Sequence, residues 1–302
     1  MPVLQEDEVR RLSDRSVDNL RGLYSVLFAL SFGLALTGTY DKVHAALFGQ
    51  VFDAVTLGVH ALVSLSFLVT LGLFHYQTDR YLDVVYRRNG LPGVRPLVFL
   101  ADLVRGLVSM APIYLMAQSL GAEPYRQVGF TWYVLSGALF LLSNTLFLSW
   151  TGRDPQTDGD PEEDRIDALR VFWLLLNSAS MVLLFLVYRL FRAGGEVCPA
   201  RGETGLQLGF LTAFCVLLLA RNLIDISQSW PVLHPAFAGA GSPGSSRLLT
   251  WLAPAPRRRT IRWAALVLAL AALGLSAEAG LLDILAVTRN CMTPQGFRGA
   301  AG

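Results

Sequence analysis

Few residues of this 302-residue chain could do chemistry, and several of those lie inside long apolar stretches. Asp102 and Arg105 interrupt residues 96–119. Arg221, Asn222 and Asp225 stand near the end of residues 205–227. His75 closes residues 54–78, and Asn144 lies within 127–150. An ionisable side chain at membrane depth costs about 2.5–3.5 kcal/mol on insertion scales and is a functional candidate by default. Carboxylates there would bind a cation or a proton. Paired guanidinium groups would bind an anion.

Depth arithmetic brings these groups together. At 1.5 Å per residue, Asp102 and Arg105 lie roughly 9–13 Å into their span. The span carrying Arg221 and Asp225 runs the opposite way, so the two sets reach a similar level. An Asp102–Arg221 or Asp225–Arg105 pair across the helices would neutralise both. Asp102, Arg105, Arg221, Asn222, Asp225, His75 and Asn144 thus form a candidate ligand- or ion-binding cluster opening to the cytoplasm. The competing reading is a structural ion-pair network that locks helix ends. A thinner cluster of His60, Glu278 and Asp283 is expected near the outer face, where it could feed a proton relay towards Asp102. Asn177, mid-span, is expected to glue helices together.

Catalytic motifs fail on inspection. Gly239-Ala240-Gly241-Ser242-Pro243-Gly244 has the GxGxxG form but no preceding strand, so it does not read as a nucleotide loop. The acidic segment from Asp154 to Asp164 resembles a calcium loop at Asp154, Asp158, Gly159 and Asp160. It lacks the ligands needed at Gln156 and Arg165. HExxH, GxSxG and CxxC are absent. The four histidines are too dispersed for two haems or for a membrane zinc hydrolase. No catalytic residue, metal or cofactor is therefore expected. Lys42, the only lysine among 25 basic residues, is expected in a loop, which argues against a retinal Schiff base.

The elements that must position these residues follow from composition. The chain is 53% hydrophobic and 16% charged, with mean hydropathy +0.46. Soluble domains carry about 25% charged residues. The expected fold class is therefore all-α, a polytopic membrane bundle within residues 22–288. Seven spans are expected over 22–40, 54–78, 96–119, 127–150, 169–191, 205–227 and 262–287. The last is the weakest, and six spans plus a re-entrant segment is the alternative. Residues 1–21 are expected to form a cytoplasmic segment, loosely amphipathic and suited to the membrane surface. Residues 289–302 would be an outer tail.

Sixteen basic residues fall in the N-terminal segment and the loops on its side, against seven opposite. That bias predicts the N-terminus inside and the C-terminus outside. Trp132, Trp150, Trp173, Trp230 and Trp263 fall at predicted span ends, the interfacial position of tryptophan. Cys198 and Cys291 would share the outer side and could form a disulfide there. Cys215 lies within a span as an apolar residue.

A short repeat is also visible. Asp14-Arg15-Ser16-Val17-Asp18-Asn19-Leu20-Arg21 aligns, one residue removed, with Asp164-Arg165-Ile166-Asp167-Ala168-Leu169-Arg170. It reads either as convergent helix-start chemistry or as a three-plus-one-plus-three duplication with the fourth span as linker. A fingerprint of Leu20-Arg21-x-x-Tyr24-Ser25 with Phe74-His75-x-x-x-Asp79-Arg80-Tyr81-Leu82-Asp83 carries no function of its own.

The expected function is transport or conduction of an ion or small solute. The alternative is a non-catalytic membrane subunit of a larger complex, and an intramembrane lipid enzyme ranks last. Expected partners are the lipid bilayer and a homo-oligomer or membrane subunits. A net charge of +2 leaves no nucleic-acid footprint. The arginine-dominated basic residues suit a GC-rich genome, and the bacterial inner membrane is the expected location.

Overall fold

The computed structural model describes residues 6–48, 54–83, 96–121, 129–150, 161–193, 204–234, 247–252 and 254–278. Eight helices account for them: α1 (Glu6–Phe48), α2 (Ala54–Leu82), α3 (Pro96–Gly121), α4 (Gly129–Trp150), α5 (Pro161–Ala193), α6 (Thr204–Leu233), α7 (Arg247–Leu252) and α8 (Ala255–Glu278).

Five helices contain segments long and apolar enough to cross a membrane: Asp14–His44, Leu57–Leu82, Leu103–Leu120, Arg165–Leu190 and Gly209–Leu233. α4 is also apolar, but its segment, Tyr133–Leu148, is shorter. α8 begins just before the arginine run, with Arg257, Arg258, Arg259 and Arg262 in its first half.

Several helices run past the expected span ends: α2 ends at Leu82, α5 starts at Pro161 and α8 at Ala255. The N-terminal segment and first span are one 43-residue helix, roughly 64 Å long at 1.5 Å per residue. No proline falls within residues 6–48, and the charges at its start do not break a helix. This helix carries Lys42 and His44, so neither lies in a loop. Lys42 stands near the end remote from Tyr24, roughly 27 Å along the axis. α6 likewise runs through Pro231 to Leu233, and the His234 N–H donates to Trp230 O at 2.9 Å, extending the helical turn to His234.

The first six helices close a ring in the order α1, α2, α6, α5, α4, α3, and back to α1. α8 lies outside it against α5 and α4, and α7 packs against α5 through buried Leu249 and Leu252. The packing echoes the sequence repeat. α1 lies against α2 and α3, α5 lies against α6 and α8, and α2 meets α6. A duplicated three-helix unit with α4 between the copies would give this pattern.

Polarity is distributed inside out. Leu30, Leu34, Val108, Leu186, Leu223 and Val267 point outward from five helices. Ser66, Gln77, Asn144, Asn177, Arg221 and Asp225 are buried within. Water would penalise such an outer surface, whereas hydrocarbon accepts it.

The bundle has two different ends. At the proximal end α1, α3 and α5 start and α2, α4 and α6 finish. The distal half is filled by an apolar core that includes Phe67, Ile113, Met116, Tyr133, Phe214 and Leu218. Cys215 is buried in that core, as an apolar residue would be. The approach there is close: a Cβ on Gly137 would overlap the Phe214 ring. Polar atoms in this half meet locally, as in the 2.8 Å hydrogen bond between Ser66 Oγ and Tyr133 OH.

Candidate functional site

The proximal half holds a small, partly open cavity of about 50 Å³. Every helix of the ring contributes to it: Tyr24 from α1, Gln77, Thr78 and Tyr81 from α2, Arg105 and Gly106 from α3, Asn144 from α4, Trp173 and Asn177 from α5, and Arg221 from α6. Phe74 and Phe140 line it as well, meeting edge to face at 5.5 Å between ring centroids.

Arg221 and Asp225 form the buried part of the site. They are four residues apart, so one helix face carries both. Arg221 Nη1 lies 2.8 Å from Asp225 Oδ2, a close charge contact rather than an aligned hydrogen bond. Asp225 is 0% exposed. Its Oδ1 accepts from Gln77 Nε2 at 2.8 Å and from Trp173 Nε1 at 2.7 Å. Gln77 Nε2 also reaches Ser229 Oγ at 2.9 Å.

The guanidinium of Arg221 is held from several sides. Nη2 and Nε donate to Asn177 Oδ1 at 3.0 and 3.3 Å, and Nη1 donates to Asn222 Oδ1 at 2.9 Å. Asn222 Nδ2 then donates to Thr70 Oγ1 at 2.8 Å, which donates to Ser66 O at 2.7 Å. A buried ion pair is tolerable only when its remaining donors and acceptors are engaged in this way.

Arg105 is different. Its guanidinium carbon lies 5.3 Å from the centre of the Tyr81 ring, and no carboxylate among the described residues pairs with it. Arg170 approaches the same ring at 5.3 Å and donates to the Tyr81 hydroxyl through both Nε, at 3.0 Å, and Nη2. Arg170 is balanced by Asp167, 3.1 Å away.

The cavity mouth is bordered by a clamp between α1 and α2. Arg21 Nε lies 2.9 Å from Asp79 Oδ1, and its Nη2 lies 2.6 Å from Asp83 Oδ2. One turn on, the Tyr24 side chain sits so close to Gly106 that a Cβ there would overlap its ring. Arg21 and Arg170 are the aligned arginines of the sequence repeat, and both grip the last turns of α2. Tyr24 and Trp173, each three residues later, both line the cavity.

Of the expected cluster, Arg105, Arg221 and Asn144 line this cavity, while Asn222 and Asp225 support it from behind. Asn144 Oδ1 accepts from Ser109 at 3.3 Å, and its Nδ2 donates to Phe140 O at 2.8 Å. The expected Asp225–Arg105 pair does not form. α3 and α6 stand on opposite sides of the ring, and Asp225 is engaged by Gln77 of α2, Trp173 of α5 and Arg221 of its own helix. Arg221 pairs with Asp225, and the expected Asp102–Arg221 pair involves the Asp102 side chain, which lies outside the described residues.

His75 faces α1 instead, stacked on Phe28 at 4.5 Å. Of the outer cluster, His60 is on α2, which packs on α1 and α6, whereas the helix ending at Glu278 packs on α5 and α4. The Glu278 side chain, Asp283, Cys198, Cys291 and Gly239–Gly244 lie outside the described residues.

Sequence reasoning missed Gln77, Trp173, Tyr81 and Tyr24 as site residues. Trp173 had been read as interfacial, yet it is buried and donates to Asp225. Tyr24 and Tyr81 sat in the fingerprint, whose spacing was their only signal. A separate group lies at the end of α6. Tyr76 OH and His234 Nε2 are 2.5 Å apart, and the Trp230 ring lies tilted against the imidazole, 4.3 Å between centroids. Burial, then the charge of Arg80, lowers the His234 pKa from its ordinary value.

Among the described residues, no group of three or more His, Cys, Asp or Glu side chains could hold a metal ion. No family model, curated protein or solved structure matches this chain.

Proposed function

We propose that this chain is a seven-span membrane protein, N-terminus inside and C-terminus outside, that carries an ion or small solute through its helix bundle. One observation supports the reading above all: a cavity with two arginines on its wall, lined by all six ring helices within an apolar outer surface. The basic-residue bias supports the orientation, with the cavity mouth on the cytoplasmic face. The proposed seventh span is the segment 262–287 of the sequence, and α8 covers its part up to Glu278. A bacterial inner membrane fits the arginine-dominated composition.

The packed distal core favours alternating access over a standing pore. Phe74, Phe140 and the core beyond them close the far side, so passage requires the ring helices to rock. The experiment is solute or ion flux into proteoliposomes by the wild type, Asp102→Ala and Arg221→Ala. Flux abolished in either variant supports the proposal, and flux unchanged in both overturns it.

A second reading has its own support. Asp225 is buried and held by Gln77, Trp173 and Arg221, as in a structural lock, and much of the apolar surface of α1 is uncovered. Both suit a non-catalytic subunit held in a larger membrane complex. Co-purification of a stoichiometric membrane partner would favour it over transport.

A further inference from the structure

We infer that the cavity binds a small organic carboxylate, with Arg105 as its charge-reading residue and Asp225 as an internal counter-ion that never meets the ligand. The inference rests on the cavity described above as a solute site, and it fixes the sign of the solute.

The sign follows from which charges face the cavity. Two guanidinium groups, Arg105 and Arg221, line it, and no described carboxylate does. Asp225 is fully buried, accepts from Gln77 and Trp173, and neutralises Arg221. A cation entering would find no available carboxylate among these residues, and displacing Arg221 from Asp225 would strand a buried charge.

Among the described residues Arg105 is left as the uncompensated charge. Its partner is the Tyr81 ring, which Arg170 also approaches, so the two cations are at most twice 5.3 Å apart. Arg170 is balanced by Asp167, so the charge left for an anion to meet is that of Arg105. Guanidinium presents a planar fork that matches a carboxylate in two parallel hydrogen bonds.

The rest of the wall indicates an organic body. Phe74, Phe140 and Leu148 supply apolar surface beside the guanidinium groups. A bare inorganic anion would leave that surface without a partner, whereas a compact apolar body would cover it.

The test uses the full-length chain in nanodiscs, with benzoate, benzylamine and chloride as probes in isothermal titration calorimetry. Benzoate should bind, benzylamine should not, and Arg105→Gln should weaken benzoate about tenfold or more. Arg105→Lys should restore part of the loss. Benzoate binding equal to or weaker than benzylamine binding in the wild type overturns the inference, whatever the variants do. So does chloride competing with benzoate at equal concentration, or Arg105→Gln binding benzoate normally. Flux is measured separately. Arg105-dependent benzoate binding without any flux leaves the inference standing and removes transport. Cation flux without benzoate binding does the reverse.

Discussion

Replacing Asp225 with asparagine keeps the shape of the side chain and removes its charge. The carbonyl oxygen of the amide could still accept from Gln77 and Trp173, so the loss falls on Arg221. At 2.8 Å the gross attraction in this pair is about 6 kcal/mol at an effective dielectric of about 20. Much of that offsets desolvation, so the informative quantity is the cost of stranding one partner. Arg221 is only 9% exposed and cannot turn to water. Breaking such a pair costs about 3–5 kcal/mol. At about 2 °C per kcal/mol for a large domain, Asp225→Asn should melt roughly 6–10 °C below the wild type. The assay is intrinsic fluorescence melting in one detergent at one scan rate, because membrane-protein unfolding is often irreversible. Arg221→Gln combined with Asp225→Asn should recover part of the loss, with a coupling of about 1–3 kcal/mol. A melting temperature within 1–2 °C (about 1 kcal/mol) of the wild type, or strictly additive single variants, would refute the engaged ion-pair network.

Two further outcomes follow from the packing. Gly106→Ala should cost about 1–3 kcal/mol, because its Cβ would collide with Tyr24, while Gly22→Ala, with open space around it, should be neutral or slightly stabilising. Paired thermal melts of the two variants check this, and equal melting points would contradict the close α1–α3 approach. For His234 the sign runs one way: a folded-state pKa lowered by burial and by Arg80 means the fold prefers neutral imidazole. Its stability contribution is therefore complete above about pH 6.5 and is lost as pH falls through the lowered folded value. His234→Gln should flatten the acid side of the melting-temperature profile. An unchanged profile would mean that the Tyr76–His234 contact does not titrate with folding.

The charged members of the site were legible because charge in an apolar run stands out. Arg105, Arg221 and Asp225 were found in this way, together with their common depth. Lateral neighbours were not legible. A hydropathy pattern orders spans along the chain but does not say that α2 meets α6 or that α3 faces α6 across the ring. The expected Asp225–Arg105 pair failed on that point. Gln77 and Trp173 escaped notice because uncharged residues cost little inside an apolar run, so nothing marked them as partners of Asp225. The continuity of α1 with its first residues was not legible for a different reason. Its alternating acids and arginines read as a surface segment, although nothing in them ends a helix. The repeat was visible as Arg21 and Arg170, but its consequence, two arginines holding the last turns of α2, required the packed bundle.

The central claim is that the space between the six helices is open to solutes and positively charged. Thr78 lines it and bears no charge. In a chain whose three cysteines are replaced by alanine, Thr78→Cys can be probed in sealed vesicles with membrane-impermeant thiosulfonates. The account predicts labelling from one side only, faster with the anionic sulfonatoethyl reagent than with the cationic trimethylammonium one, and slowed by benzoate. No labelling from either side, or faster labelling by the cation, would contradict it.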